Sequence, residues 1–331
     1  MLGREVTVPA HVDRVIGIGP GALRLLVYLE AEDRVVGVEE LERRTGRPYI
    51  FACPELQDKP TIGPPFTGDA ELIVARKPDV IFKTYTTKGE AEELEKKTGI
   101  PVVGLRYVNE GPSWRVLDSA LSLMGRILDR SDRAKALTRY YQRLIDTLAL
   151  RTRAIPQSEK PRVYLGGLSH RGTHGINSTS PWYESFVFVN ARNVAAPLKK
   201  NYQNNEGVLL DIEQLMQWNP QVIFIDRAGR ELVKKDFREH RAFFSHIRAF
   251  QKGQIYGVHP YNWYSTNYAT VLANAWYVAK VLYPSHFRGT NPAQKADQIY
   301  QTFLGQGVYR QMEKQYGGYG PFRYDSTLKS E

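Results

Sequence analysis

The segment RVIGIGPGALRLL, Arg14 to Leu26, carries Gly17, Gly19 and Ala22 in the spacing G-x-G-x-x-G/A. That spacing lets a dinucleotide pyrophosphate approach a helix N-terminus. The apolar run Val15 to Ile18 predicts a strand before it, and Ala22 to Leu29 predicts a helix after it. A second strand, RVVGV, leads to Glu39 and Glu40, about twenty residues on, where an acid could take a ribose hydroxyl. A nicotinamide-dependent oxidoreductase using Gly17, Gly19 and Glu39 is therefore one reading of the chain. Pro20 counts against it, because a loop whose backbone N–H groups serve phosphates gains nothing from a residue that has none.

Two other clusters have the chemistry to bind a ligand. SHRGTHG (Ser169 to Gly175) sets His170 and His174 on either side of Arg171, and HPYNWY (His259 to Tyr264) gathers Tyr261, Trp263 and Tyr264. Imidazole and phenolate suit hard or borderline metals, guanidinium pairs bidentately with anionic groups, and aromatic faces pack against a flat or greasy chelate. Cys53 is the only cysteine, which excludes an intrachain disulfide and a multi-thiolate metal site. Its neighbours in YIFACPEL predict a buried, inert thiol. Asn177-Ser178-Thr179 forms a glycosylation triplet and reads as a loop bordering a cleft, and QYGGYGPF near the end carries no readable chemistry.

The elements that position these residues show an internal repeat. GDAELIVARKPDVIFKTY (Gly68 to Tyr85) and LDIEQLMQWNPQVIFIDR (Leu210 to Arg227) both read D-x-E-x6-P-x-V-I-F. Each predicts an aspartate N-cap, a glutamate in the first turn where it suits the helix dipole, a proline that ends the helix, and an apolar strand of a parallel sheet covered on both faces. DRVIGIG and PRVYLGG open the two halves, and GIPVVGL has its counterpart in GQIYGVH. Between the halves, Ser131 to Ile155 predicts one long helix. Ser131 is its N-cap, Ala134, Leu137, Tyr141, Leu144, Leu148 and Thr152 form its apolar stripe, and Pro156 ends it. A helix from Trp114 to Leu128 leads into it.

The expected fold is α/β, with two Rossmann-like lobes of parallel sheets joined by one long backbone helix and a ligand cleft between the lobes. Residues 1–112 form the first lobe, 113–155 the helical connector and 156–331 the second lobe. A formal charge of +10 invites a nucleic-acid reading. The basic residues are spread along the chain in runs of no more than two or three, without a recognition motif, so a solvated basic surface with affinity for anionic ligands is expected instead. No apolar run approaches the ~20 residues of a membrane span. The chain opens MLGREVTVP with no signal segment, so either the protein is cytoplasmic or a leader has been removed.

This order of pieces resembles the substrate-binding proteins of metal-chelate ABC importers, the helical-backbone class that includes siderophore-, haem- and vitamin B12-binding proteins. RVVGV, Ile62-Gly63, ELIVARKPDVIF, LEKKTGIPVV and YNWYSTN…LANAWYVAKVLYPSHF stand where that family carries its corresponding pieces. The resemblance implies an extracytoplasmic binding protein, periplasmic or surface-anchored, with no enzymatic activity, no resident cofactor and a metal-containing cargo. It further implies a permease dimer with ATPase subunits as partner, gripping Glu71 and Glu213 on the outer surface of the two lobes. An iron–siderophore complex is the first expected cargo. Molybdate or tungstate, haem and a corrinoid are the alternatives. A monomer that binds no nucleic acid is expected.

In open α/β sheets, ligands meet the loops beyond the carboxyl ends of the strands. That rule nominates Gly19, Gly21, Tyr85, Arg106 and Tyr107 in the first half, and His170, Arg171, His174, Arg227, Tyr261, Trp263 and Tyr264 in the second. His170, His174 and Tyr264 are the candidate ligands if a metal is bound directly. Tyr268, Trp276 and Tyr277 fall in a helical pattern and belong to the core.

Overall fold

The fold was obtained as a computed structural model that describes residues 2–105, 113–200 and 207–324. The chain divides into two compact units. One comprises Met1–Tyr141, Tyr264–Asn267 and Tyr300–Val308; the other comprises Gln142–Trp263, Tyr268–Ile299 and Tyr309–Glu331.

The first unit alternates strands and helices in chain order: β1 (Val15–Ile18), α1 (Ala22–Tyr28), β2 (Val35–Gly37), α2 (Ala70–Ala75), β3 (Val80–Lys83), α3 (Lys88–Thr98), β4 (Val102–Gly104) and α4 (Ser113–Ile127). The strands form a parallel sheet in the order β2-β1-β3-β4. Both faces are covered, so β1 and β3 are buried at every residue, and Ile16, Ile18, Ile73, Ile81 and Val102 share one core. Asp69 caps α2 as its sequence predicts, its Oδ1 accepting from the N–H groups of Glu71 and Leu72 at 3.0 and 2.9 Å. A reciprocal capping box of Thr87 and Glu90 starts α3, and left-handed Gly99 ends it.

Helix α5 (Ser131–Thr152) follows, 22 residues or about 33 Å long. The stripe from Ala134 to Thr152 is buried as the spacing requires. Ser131 is the first helical residue rather than the cap, and the helix stops four residues before Pro156. The division into units falls inside α5, between Tyr141 and Gln142.

The second unit contains β5 (Arg162–Gly166), β6 (Ser178–Thr179), β7 (Arg192–Asn193), β8 (Val208–Leu209), α6 (Ile212–Trp218), β9 (Val222–Asp226), α7 (Arg230–Glu239), β10 (Ile255–Val258), α8 (Tyr268–Leu282) and β11 (Gly320–Pro321). Its main sheet runs β11-β10-β9-β5-β7, and β5, β7, β9 and β10 are parallel. Without β11, the order is that of the first sheet: first strand inside, second strand at one edge, third and fourth on the other side. The repeat seen in sequence is thus a repeat of topology. Asp211 caps α6 through Glu213 N–H at 2.9 Å, and Lys77 and Asn219, each just before a proline, both take the left-handed conformation.

Two expectations are corrected here. Ser178-Thr179 of the glycosylation triplet is not a loop: it forms the buried strand β6, antiparallel to β8, and Asn177 Nδ2 donates to Leu210 O. The segment QYGGYGPF has a structural role, because its Gly320-Pro321 adds the one antiparallel edge strand to β10 and Tyr319 stacks at 4.3 Å on Tyr277 of α8. Cys53 is buried, and burial pushes its thiol up to about 12, as expected of an inert side chain. Tyr268, Trp276 and Tyr277 are buried on α8.

Candidate functional site

In the first unit the loops after β1, β2 and β3 meet at the carboxyl edge of the sheet. The β1 loop turns through Gly19 and Gly21, with φ of 89° and 86°. A side chain at Gly19 would lie 2.7 Å from Thr84 Oγ1 and 2.8 Å from Thr84 O, so only glycine allows the β1 and β3 loops to approach this closely. Thr84 Oγ1 donates to Pro20 O at 3.1 Å and closes the contact.

Glu39, just beyond β2, is buried and holds this edge together. Its Oε1 accepts from the N–H groups of Gly19 at 3.0 Å and Phe66 at 2.7 Å, and its Oε2 accepts from the Tyr264 hydroxyl at 2.9 Å. Burial nevertheless pushes the Glu39 carboxyl up to about 7, against the pull of its donors. The dinucleotide reading fails on these contacts. The Gly19 N–H that would serve a pyrophosphate is given to Glu39, and the carboxylate that would take a ribose hydroxyl is sealed inside.

Tyr264 to Asn267 pack in the first unit although the chain on either side belongs to the second. The wholly buried Arg24 of α1 donates through Nη1 to Tyr264 O and Ser265 O at 3.4 and 3.3 Å. Tyr85 Oη lies 3.4 Å from Ser265 Oγ, and the Tyr264 ring meets Phe66 edge-on at 5.8 Å. Tyr264 therefore packs with the first unit, whereas Tyr261 and Trp263 belong to the second. Its phenol is the donor to a carboxylate, and burial beside Glu39 drives its pKa far up, which opposes the phenolate a metal would need. A groove of about 490 Å³ opens beside this edge, lined by Phe66, Thr67, Lys83, Tyr85, Glu90 and Leu94 among others. Lys83 Nζ donates to Phe66 O, and burial lowers the lysine's pKa.

In the second unit the loop after β5 has a packed base and an exposed tip. A side chain at Gly229 would fall 2.3 Å from His174 O and 2.5 Å from Gly167 O, and one at Gly175 would overlap the Asp236 carboxylate. Asp236 Oδ2 accepts from Ile176 N–H at 2.7 Å, and Asn262 Nδ2 ties the β10 loop to Ser169 O at 3.0 Å. Arg171 stands exposed at the tip with φ of 52°. His174 Nε2 donates to His170 O at 2.7 Å, which fixes that ring within the loop and leaves Nδ1 as its one nitrogen with a lone pair. Among the described residues, no group of three or more His, Cys, Asp or Glu is placed to hold an ion.

Arg227 and Tyr261 each have a packing partner within the second unit. Arg227 Nη2 donates to Gly318 O at 2.7 Å and its guanidinium lies over the Phe322 ring, so it braces the C-terminal segment. Tyr261 is buried against Tyr183, ring centroids 5.6 Å apart, while Trp263 is half-buried. Arg106 and Tyr107 lie outside the described residues. At the end of β9, buried Asp226 takes the Ala228 N–H on Oδ1, leaves Oδ2 without a hydrogen-bond partner, and is pushed by burial up to about 7. His259, after β10, is stacked on Tyr319 and donates from Nε2 to Gly317 O; burial lowers it to about 3, so the ring is neutral.

Sequence reasoning gave no role to Arg24, Phe66 or Lys83. Two of them carried a signal: a charge inside the apolar helix ALRLLVY and another at the end of the apolar strand VIFK both mark buried cations that need partners.

Two units of the same parallel topology with loops gathered at their strand ends define a binding protein of the two-lobe α/β class. Residues 15–261 match the periplasmic binding protein family, and the chain belongs to it. It is similar to the molybdate-binding protein MolA of Haemophilus influenzae, 24% identical over 324 residues that cover 91% of this chain and 89% of that one. A solved structure of MolA bound to molybdate, described as the cognate binding protein of an ABC transporter, matches with a TM-score of 0.73 at 20% identity, covering 92% of this chain and 97% of the other. A periplasmic solute binding protein from Veillonella parvula matches at 0.72 and 18%, covering 95% and 94%. A periplasmic heme binding protein from Pseudomonas aeruginosa matches at 0.56 and 19%, covering 83% and 94%. These relatives are substrate-binding proteins, not enzymes. No described helix is long and apolar enough to cross a membrane.

Proposed function

We propose that this chain is the extracytoplasmic solute-binding subunit of an ABC importer. Its cargo is a small oxyanion of the molybdate or tungstate kind, bound by the strand-end loops and delivered to a permease that grips Glu71 and Glu213. The observation that carries the cargo is the likeness, over about nine tenths of both chains, to a protein that binds molybdate. The loops suit it. A compact dianion needs few contacts, chiefly charge-assisted hydrogen bonds. Arg171 offers a guanidinium on a loop whose base is braced, and the edge of the first sheet holds the buried cation Lys83.

An iron–siderophore complex is the second reading. The observation in its favour is Phe66 and Tyr85, 49% and 42% exposed along the groove of the first unit, which offer aromatic faces to a chelate.

Native mass spectrometry with metal analysis tests both. The protein is incubated with molybdate, tungstate, ferric catecholate and hydroxamate siderophores, haem and cobalamin, with NADH as the control. One-to-one binding of an oxyanion is expected. Arg171→Ala should weaken that binding about tenfold, the loss of one charge-assisted contact, with no change in melting temperature. Binding of a siderophore alone would reverse the choice of cargo, and binding of NADH alone would overturn the transport reading.

A further inference from the structure

We propose that the contact with the importer's membrane subunits has an apolar half as well as an acidic one: Val74 beside Glu71 on α2, and Met216 beside Glu213 on α6. The inference rests on the docking reading above and deepens it. Most large apolar side chains of the chain are inside, yet Val74 is 44% exposed and Met216 39% exposed. Their numbers differ by 142, as do those of Glu71 and Glu213 and of the capping residues Asp69 and Asp211. The register is the same in both helices. Ile73 and Leu215, the residues just before Val74 and Met216 and each four positions after the capping aspartate, are buried. Glu71, Val74 and Ala75 are exposed on α2, as are Glu213, Met216 and Gln217 on α6.

Residues three apart share one face of a helix, so each unit presents a carboxylate and an aliphatic group side by side. A single exposed aliphatic residue is ordinary. The same exposed pair at equivalent places of two units is what a partner built from two equivalent subunits would select. The occupant that fits is the permease dimer, each subunit offering a cation next to an apolar pocket. The glutamate supplies charge complementarity and steering, and the aliphatic group supplies the area removed from water. Exposed polar side chains would serve as well as Val74 and Met216 if only the charges mattered.

The test measures binding of the full chain to its cognate permease–ATPase complex in nanodiscs, using wild type, Val74→Asp/Met216→Asp, Val74→Leu/Met216→Leu and Glu71→Ala/Glu213→Ala. Melting temperature and circular dichroism accompany each variant. The aspartate pair is expected to bind at least tenfold more weakly with its fold intact, and the leucine pair to bind as wild type does. Wild-type binding by the aspartate pair, with binding lost in the glutamate variant, would overturn the apolar half and leave acidic docking standing. Wild-type binding by both the aspartate and the glutamate variants would overturn the docking reading itself.

Discussion

Each unit buries a carboxylate beyond a strand of its sheet, Glu39 beyond β2 and Asp226 at the end of β9, and burial raises both to about 7. Their surroundings are unlike. Glu39 is satisfied on both oxygens by three donors from three segments. Asp226 is satisfied on one oxygen, by a neighbour two residues away. The same displaced titration thus accompanies two different functions. Glu39 joins the β1 loop, the Phe66 loop and the Tyr264 segment, so removing it leaves three donors without an acceptor. Asp226 joins nothing distant, and its ionised form is a net burden on the folded state.

The largest expected effect follows from that contrast. At pH 5, Glu39→Ala should lower the stability by about 3 kcal/mol, since each buried donor left unpaired costs roughly 1 kcal/mol or more; urea unfolding gives the value. Glu39→Gln should be nearly neutral at that pH. Its amide oxygen can still accept from Gly19 and Phe66, and its NH2 can donate to the Tyr264 oxygen. If the glutamine variant fell as far as the alanine variant, the joint would depend on charge rather than on acceptor geometry.

Asp226→Asn should act in the opposite direction. In the folded state the carboxyl holds its proton up to about 7, against an ordinary aspartate value of 3.8. Between those values the folded state binds more protons than the unfolded state, so stability falls as pH rises through the window. The contribution is fully present below about pH 4 and lost above pH 7. One unit of displacement is about 1.4 kcal/mol, and even half of the displacement amounts to about 2 kcal/mol. The asparagine variant should therefore be about 2 kcal/mol more stable than wild type at pH 8 and equal to it at pH 4. A constant difference across pH would show that Asp226 does not carry the titration.

The sequence made some of this architecture legible and hid the rest for identifiable reasons. The D-x-E-x6-P-x-V-I-F repeat gave cap, helix, stop and strand in both units because each step is local: a side chain meets a backbone group two or three residues away. The stripe on α5 was legible for the same reason. The contacts of Glu39 were not, because Phe66 and Tyr264 are 27 and 225 residues from it, and spacing alone suggested a ribose. The strand Gly320-Pro321 is two residues long and exists only by pairing with β10, so no periodicity announces it. The return of Tyr264 to the first unit was hidden in the same way, because residue type and order were visible and the long-range packing was not.

Tyr264 gives the smallest effect and the sharpest separation. Tyr264→Phe removes only the hydroxyl that donates to Glu39 Oε2, and the edge-on contact with Phe66 needs no hydroxyl. At pH 8, where Glu39 is ionised, the lost bond is charge-assisted and should cost about 1 kcal/mol of stability. At pH 5, where Glu39 is protonated, the loss should be smaller. The same variant decides what the phenol does in binding. If the hydroxyl serves only to hold its segment on Glu39, cargo binding survives with little change in affinity. If the phenolate binds cargo metal directly, a metal-containing cargo that wild type retains is lost from the phenylalanine variant at both pH values. A loss of stability equal at pH 5 and pH 8 would place the hydroxyl's contribution in packing rather than in its bond to the carboxylate, and would remove Tyr264 from the network that sets the first unit apart from the second.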